Sequence, residues 1–407
     1  MLFLQLIGIG ILLTLVAGYM VIKKKNMDIW LWGYISHHIT KKTAHSGPTH
    51  VIFCFVDHYE PQWKTDDIAV ERSRVDRWLN DYPKMAEGHQ DADGVAPQHT
   101  FFYPEEEYRQ EHLDKLQKLC EAGFGEMDIH LHHEDDTEEN FVTTINRFKK
   151  TLADNHQLLT VDDAGELSYA FIHGNWTLDN SHPDGLHCGI NNELALLNKT
   201  NCYVDMTLPS APNRTQTRTV NKIYMATGEP NKSKNHDVGV EAEVGKPLQG
   251  DLLVVQGPLA LNWKRRKAGI LPRIENGDIR SSNPPTPDRV DLWVNQHIHV
   301  KGRPEWLMIK VHTHGTQEED MDCLLGKPIE EMYSYFENHY NDGEKYVLHY
   351  MNAREMTNVI YAAVDGKTGN PNDYRNYRLK KYADTVKSSA MTDAASNSDN
   401  SPAYQSS

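Results

Sequence analysis

Five short apolar runs in this 407-residue chain each end in a polar side chain, and four of them end in or beside a histidine. Helical patterns lie between the runs, which is the alternation expected of βα units. In a (β/α) barrel the C-terminal ends of the strands meet at one mouth, which carries the chemistry. The sequence therefore predicts an α/β fold, a (β/α) barrel with its polar strand ends gathered in one site. The runs are 51–56 before Asp57 and His58, 127–129 before His130, 169–172 before His173, 202–204 before Asp205, and 306–311 before His312.

Three segments carry the start signals of helices. Pro104, followed by three glutamates, predicts one helix start. Thr137 is a candidate N-cap for a second helix. Asn352 and Glu355 have the spacing of a capping box for a third helix, which Gly366 can end. These helices account for the segments that alternate with the apolar runs.

The first 22 residues contain no charged side chain, and lysines follow at positions 23–25. About 20 apolar residues are enough to cross a bilayer as a helix. Because the segment lacks the basic start and the cleavage site of a secretory signal, we interpret it as a retained anchor of a single-pass membrane protein. The positive-inside rule places the large domain in the cytoplasm. A periplasmic or extracellular side stays open, because only five lysines decide the orientation.

Composition divides the chain into four segments. Residues 1–22 are the transmembrane anchor, and residues 23–44 are a juxtamembrane linker. Residues 45–382 hold the recurring apolar runs and form the folded domain. Residues 383–407 are rich in Ser, Ala, Asn and Asp and have almost no large apolar side chain, which predicts a disordered tail.

Charge and cysteine content exclude two classes of protein. The net charge of −15 argues against nucleic acid as the main partner, because phosphate binding needs a basic surface. The five cysteines form no close pairs and are odd in number, so they do not make a disulfide framework. We expect reduced and mostly buried thiols.

The His130-Leu131-His132 stretch predicts a metal site. Alternate residues of a strand point to the same side, so both imidazoles can reach one ion. His133 and Glu134 add donors where the chain leaves the strand, and His58 adds another at the end of the first run. Neutral imidazole and carboxylate suit a divalent transition metal, with zinc as the first candidate. The third ligand stays open among His132, His133 and Glu134.

The remaining polar strand ends can supply acid–base groups. In a metal hydrolase a carboxylate accepts the proton of the attacking water, and a general acid protonates the leaving group. Asp57 is the candidate carboxylate, and His312 or His314 is the candidate acid. A hydrogen-bonded core pair is the alternative interpretation of these two histidines.

Other side chains beside these motifs are candidates for substrate binding. The rings of Tyr59 and Trp176 can stack on sugars, and His173, Asn175 and Asp205 follow neighbouring strands. Residues 263–267 form a basic cluster that suits a phosphate, an anionic glycan or a lipid surface, or else a solvated loop.

The order of these motifs resembles the polysaccharide deacetylase family, metal-dependent carbohydrate esterases on a distorted (β/α) barrel. In that family the first strand ends in T-F-D-D, a catalytic base followed by a metal ligand, and residues 55–58 stand there. The family's second motif, H-x-x-x-H, is matched at His130, but position 134 is a glutamate. Residues 173–180 replace the third, arginine-containing motif. Residues 309–314 resemble the last motif, a strand that ends in the general-acid histidine.

The resemblance implies a membrane-anchored hydrolase that removes an N- or O-acetyl group from a polysaccharide or a lipid-linked glycan precursor. It implies that Asp57 is the base and that His58 replaces the family's second aspartate as a metal ligand. A metal-assisted glycosidase or lyase on the same barrel is one alternative. A glycan-binding barrel without turnover is another, because the family's arginine and second histidine are missing.

Overall fold

The computed structural model describes residues 2–388, which form a mixed α/β fold around one large, mostly parallel sheet. The strands are β1 (Thr49–His58), β2 (His99–Pro104), β3 (Gly125–Leu131), β4 (Thr160–Val161), β5 (Leu167–His173), β6 (Cys202–Asp205), β7 (Ile223–Ala226), β8 (Val240–Glu241), β9 (Leu252–Val255), β10 (Ala260–Lys267), β11 (Leu271–Glu275), β12 (Trp306–Thr313), β13 (Tyr346–Tyr350) and β14 (Lys380–Lys381). The helices are α1 (Leu2–Lys24), α2 (Met27–Thr40), α3 (Ile68–Ala86), α4 (Gln110–Glu121), α5 (Glu138–His156), α6 (Glu193–Lys199), α7 (Pro287–Gln296), α8 (Glu318–Leu324), α9 (Lys327–His339) and α10 (Ala353–Val364), and residues 382–388 are also helical.

The main sheet has twelve strands, and nine of them run in the order β12-β1-β2-β3-β5-β6-β9-β7-β8. The pairs from β12 to β9 are parallel, while β7 is antiparallel to both β9 and β8. The strand β13 pairs with the first half of β1, and β10 forms a separate hairpin with β11. The predicted α/β class is confirmed. Within residues 2–388 no sheet closes, and the main sheet is open and mostly parallel.

The five predicted strand runs are β1, β3, β5, β6 and β12. Two predicted helix starts are also confirmed, because the Thr137 side chain accepts an amide of the first turn of α5 and Asn352 accepts the amide of Glu355 in α10. The helix predicted after Pro104 begins later, at Gln110, because a short 3₁₀ turn follows Pro104.

Alternation along β1 separates two apolar cores. Even-numbered residues from Ile52 to Val56 pack with side chains of β5, β12 and α10. Odd-numbered residues from Val51 to Phe55 pack with α3 and α9. The alternation places His58 on the inner face of the sheet and its neighbour Asp57 on the face covered by helices.

Polar contacts join the two flanks of the sheet. The ammonium of Lys310 in β12 donates to the carbonyls of Met206 and Leu208, which follow β6. Gly257, just after β9, lies so close to β12 that an added Cβ would be 2.4 Å from the Lys310 carbonyl oxygen. Asp278 pairs with His312 in an isolated parallel bridge. The sheet is therefore curved, and its strands end around a common space.

The N-terminal helix α1 is mostly exposed. None of the described residues in its stretch Gln5–Lys24 is buried, Val21 and Ile22 are half-buried, and the stretch is long and apolar enough to cross a membrane. The next helix, α2, occupies most of the predicted linker, and its Trp30 is fully buried in a small cluster with Ala211 and Leu259. The apolar helix α1 is therefore followed by a helix packed on the domain. Of the predicted tail, residues 389–407 lie outside the described residues.

All five cysteines are free thiols in buried or half-buried positions. Burial raises the pKa of Cys54 and of Cys120 to about 12, so both stay protonated and unreactive. The prediction of reduced, mostly buried thiols is confirmed.

Candidate metal centre

Two histidines and a glutamate meet at the C-terminal ends of β1 and β3. His58 is the last residue of β1, Glu60 follows two residues later, and His130 lies near the end of β3. We call these three residues the mouth cluster. One ligand atom of each lies within 4.8 Å of the others. Each residue is at most 3% exposed, so this is a buried set of potential metal ligands.

Within the mouth cluster, His130 faces Glu60 with its Nε2. Its Nδ1–H donates to the carbonyl of Ile172 at 2.8 Å, so Nε2 is the ring atom that is available to a cation. That Nε2 lies 3.2 Å from Glu60 Oε1. At this distance a proton or a cation can lie between the two atoms. A metal-binding histidine typically donates its other N–H to a carbonyl in this way.

The two carboxylate oxygens of Glu60 differ in their contacts. Its Oε1 also lies 3.2 Å from His132 Nε2. Its Oε2 is buried and has no hydrogen-bond partner among residues 2–388. Burial raises the pKa of Glu60, but the imidazoles of His130 and His132 against its carboxylate outweigh it and lower the pKa well below its usual range. The side chain is therefore an anionic carboxylate with a free donor atom for a cation.

Imidazoles from β1, β3 and β12 surround this carboxylate. The His58 ring stacks on His314 at 4.7 Å and meets the His130 ring edge-on at 4.8 Å. Burial lowers the pKa of His58 well below its usual range, and the neighbouring imidazoles lower it further. His312 lies 6.4 Å from His58, and burial lowers its pKa to about 3. Neutral rings are the form that binds metals, and burial lowers the pKa values of His58, His312 and His314, which the structure brings together with His130.

His132 bridges two carboxylates. Its Nδ1 lies 2.6 Å from Glu106 Oε1, while its Nε2 faces Glu60. Burial lowers the pKa of His132, but the hydrogen bonds to Glu106 and Glu60 outweigh it and raise the pKa to about 10. His132 is thus a cation that orients Glu60. The other candidate ligand, Glu134, is exposed and accepts the backbone amide of His187.

A second set of the same composition lies on the other side of β3. His133 follows the strand, His173 ends β5, and Glu193 begins α6; we call these the flank cluster. Glu193 Oε1 lies 3.2 Å from His133 Nε2 and 3.5 Å from His173 Nε2, and Oε2 accepts the Asp179 amide. Burial lowers the pKa of His133, but Glu193 outweighs it and raises the pKa. His133 and His173 therefore belong to a different group from His130.

A third set of possible ligands consists of Asp91, Asp93 and His349. Both oxygens of Asp91 are engaged by backbone amides, and one also accepts from Arg375. The ring of His349 lies 2.7 Å from Asp93 and 2.8 Å from His50. These contacts give the third set a structural role.

A cleft of about 560 Å³ adjoins the mouth cluster. Trp176 lines this cleft, and its ring lies 6.4 Å from that of His58. His312 lines it too, opposite Asp278 and Arg280, which form an ion pair at 2.7 Å. Trp176 thus lies beside the candidate ligands as predicted, and a substrate in the cleft would reach His312.

The structure places Asp57 on the far side of β1 from the mouth cluster. The side chain is fully buried, and its Oδ2 lies 2.9 Å from His99 Nε2. Its Oδ1 accepts the amide of Gly315 at 2.6 Å. Both oxygens are occupied, so Asp57 fixes the loop that carries His314 and does not face the space in which it was predicted to act as base.

The other predicted substrate residues lie in different places. Tyr59 is fully buried among the rings of the helix-covered core, which leaves it no face for a sugar. Asp205 is fully buried and accepts from Thr207 with both oxygens, and burial raises its pKa to about 7. Asn175 is exposed and has a left-handed backbone with φ of 55° beside Trp176. Of the predicted substrate residues, only Trp176 lines the cleft next to the mouth cluster.

Glu60 is the candidate ligand that the sequence interpretation missed. The alternation that selected His130 and His132 applies equally to His58 and Glu60, which also stand two positions apart. Glu106 lies in the 3₁₀ turn after Pro104, where the three glutamates indicate a helix start and not a contact with His132. Asp278 follows no recognisable pattern.

No protein-family model matches this chain, and no curated protein sequence matches it either. The resemblance to polysaccharide deacetylases therefore stays a prediction from the order of motifs.

Proposed function

We propose that this protein is a membrane-anchored, divalent-metal-dependent hydrolase that removes acetyl groups from a carbohydrate. The observation that carries the proposal is the approach of Glu60 Oε1 to His130 Nε2 at 3.2 Å, inside a buried cluster whose Glu60 Oε2 has no partner among the described residues. A cation there would contact both of these atoms and give Oε2 a partner. The proposed ligands are His58, Glu60 and His130.

This ligand set suits zinc. Two neutral imidazoles and one carboxylate are the three protein ligands of many catalytic zinc sites, in which the fourth position stays open. A divalent metal bound by them would polarise the substrate carbonyl and lower the pKa of a bound water. The carbonyl of Ile172 holds the His130 ring, and the protonated His132 holds Glu60. These partners keep the ligand atoms aimed at one point.

His312 is the proposed proton-transfer residue. It lines the cleft beside the mouth cluster, whereas His314 stacks on His58. Its neutral ring can take a proton from the attacking water and return it to the leaving group. Trp176 offers an apolar face to a sugar ring in the same cleft. Asp57 becomes a positioning residue, because its carboxylate is bound to His99 and to the Gly315 amide.

The curved sheet supports a distorted (β/α) barrel as the finer description of the fold. The reasons are the separation of an inner from an outer core and the bonds from Lys310 to the carbonyls after β6. The helix α1 would anchor this barrel in the membrane. Lysines 23–25 at its end favour a cytoplasmic domain by the positive-inside rule.

The test is metal analysis combined with acetate release. Full-length protein, purified in detergent and dialysed against zinc, is expected to hold one tightly bound zinc per chain. It should release acetate from oligomers of N-acetylglucosamine, and a chelator should abolish the release until zinc is restored. His130→Ala should lose metal and activity, whereas His187→Ala, which removes an exposed histidine, should keep both. Protein that stays free of metal would refute the proposal, and new reducing ends without acetate would indicate a glycosidase.

A further inference from the structure

Exposed large apolar side chains concentrate on one part of the surface. Ten of those described lie outside α1, and six of the ten lie on α2 and on the β10–β11 hairpin. The exposure of Ile39 is 75%, and that of Ile270 at the hairpin turn is 73%. Such a concentration marks an interaction surface. The six are Trp32, Ile35, Ile39, Trp263, Ile270 and Leu271.

A groove of about 480 Å³ runs between the hairpin and the junction of α1 with α2. Its lining is mainly apolar, with Val21 and Ile22 from α1, Leu31 from α2, and Leu271 and Ile274 from the hairpin. Because α1 is long and apolar enough to cross a membrane, a groove lined by its last turns would open at the bilayer surface.

Three cations line the same groove. They are Lys25, Lys267 and Arg273, and none of them forms an ion pair within the part of the chain that the structure describes. Apolar walls with unpaired cations at the rim are complementary to a molecule with a hydrocarbon chain and an anionic head. A second copy of this chain would bring the same cations to the contact, and like charges would oppose each other.

The groove is continuous with the cleft of the candidate site. Pro212, Arg273 and Asn283 line both spaces. The side chain of Asn26, between α1 and α2, donates to the Pro212 carbonyl at 2.8 Å and so fixes the helix junction to the rim of the cleft. A head group at Arg273 would stand at the entrance to the cleft that His312 lines.

We propose that this groove binds the hydrocarbon chain of an anionic membrane lipid, with the head group at Arg273. One consequence rests on the proposed function: the substrate would be a sugar carried on such a lipid, whose head extends along the cleft toward the mouth cluster. The binding of the lipid itself does not depend on hydrolysis.

Native mass spectrometry of the full-length protein in detergent tests the groove. The probes are phosphatidylglycerol, which is anionic, and phosphatidylcholine, which has no net charge. We expect about tenfold preferential retention of phosphatidylglycerol, since two or three cations face its phosphate. Leu271→Glu places a charge in the groove at a residue already 42% exposed and should abolish the retention. Leu186→Glu, at a 53% exposed leucine elsewhere, should retain the lipid like the wild type. Arg273→Gln should remove the preference for the anionic lipid.

Equal retention of the two lipids by the wild-type protein would overturn the inference. Full retention of phosphatidylglycerol by Leu271→Glu would also overturn it, as would a wild-type dimer that carries no lipid. Zinc content and acetate release from soluble oligosaccharides separate this result from the proposed function. Leu271→Glu should keep both, because Leu271 does not line the cleft. In the wild-type protein, zinc without preferential retention of phosphatidylglycerol would refute the groove alone, whereas lipid retention without zinc would refute the hydrolase alone.

Discussion

The mouth and flank clusters contain the same residue types, two histidines and a glutamate, and both are buried. Their glutamates differ in what surrounds them. Glu193 is engaged at both oxygens, one by the Asp179 amide and the other by His133. Glu60 shares one oxygen with His130 and has no hydrogen-bond partner for the other among the described residues. The capacity to bind a metal therefore depends on the unsatisfied acceptors as well as on the number of donors.

The source of positive charge also differs between the clusters. In the flank cluster the raised pKa of His133 makes its own ring the cation that Glu193 needs. In the mouth cluster the burial of His58 lowers its pKa and keeps its ring neutral, and the charge of His132 is shared with Glu106. The flank cluster is thus an internal ion pair, and the mouth cluster is the one that opens to a cleft.

Replacing the glutamate of each cluster by glutamine should give the largest difference between the clusters in zinc affinity and stability. Glu60→Gln should reduce the zinc affinity by about 100-fold, because a charged ligand is lost, with a small effect on stability. Glu193→Gln should leave the zinc content unchanged. It should lower the free energy of unfolding by about 3 kcal/mol, because it removes one of the two carboxylates, Glu193 and Asp136, that face His133 in a largely buried site. Zinc analysis and denaturant unfolding measure the two effects.

The control for this pair is Glu229→Gln, at an exposed glutamate whose one ion pair among residues 2–388 is with Lys232. It should change neither quantity. Loss of zinc from the Glu193→Gln protein would show that the flank cluster also binds metal, and the contrast between the clusters would then be wrong.

Acid should destabilise the protein through its buried neutral histidines. Burial lowers the pKa of His173 to about 4 and those of His236 and His312 to about 3. Between those values and the unfolded pKa of about 6.5, the unfolded chain binds more protons, so stability falls as the pH drops through this window. Each such histidine contributes a slope of about 1.4 kcal/mol per pH unit. Denaturant unfolding of the metal-free protein between pH 7.5 and pH 5 in steps of about half a unit measures the total.

His236 isolates one of these contributions, because both of its ring nitrogens are buried without a partner in the described chain. His236→Leu should flatten the pH dependence by about one proton, whatever its effect on absolute stability. An unchanged slope would show that His236 is not the source of this proton uptake.

The smallest expected effect is that of Asp57→Asn. If Asp57 only positions the loop at Gly315, the variant should keep its zinc and lose about tenfold in kcat, because the amide can still accept one of the two hydrogen bonds. A catalytic base would cost about 1,000-fold or more, without a change in KM. Steady-state kinetics of acetate release, with zinc content as the control, distinguish the two roles.

The strands and the gathering of His58, His130, His312 and His314 were predictable, because alternation and polar strand ends are local signals. The alternation rule also explains two differences between the prediction and the structure. Asp57 directly precedes His58, so the two side chains point to opposite faces of β1. The sequence interpretation treated them as one unit and overlooked Glu60, which lies on the face of His58.

Other elements depended on tertiary contacts. The helix α2 was predicted as linker, because its apolar residues do not follow one strong stripe, and only the packing of Trp30 shows which face is buried. Residues 263–267, which lie in β10, were interpreted as a basic cluster in a solvated loop or against a phosphate, an anionic glycan or a lipid surface. The register of the β10–β11 hairpin depends on pairing across the turn. Glu106 lies in the 3₁₀ turn after Pro104, and no local pattern marks it or Asp278 as a partner of the site.

The packing of α2 limits how the candidate site can move relative to α1. Trp30 is buried and His37 Nε2 lies 2.7 Å from the Gln296 carbonyl, so α2 is fixed to the domain and does not act as a flexible linker. If α1 spans a membrane and the cleft is the active site, as proposed, the site would stay at a fixed height above the bilayer and would sample the plane of the membrane instead of the surrounding volume. Encounter rates would then follow lateral diffusion and the surface density of the substrate, so a few residues inserted between α1 and α2 should reduce turnover of a membrane-bound substrate while leaving the site intact.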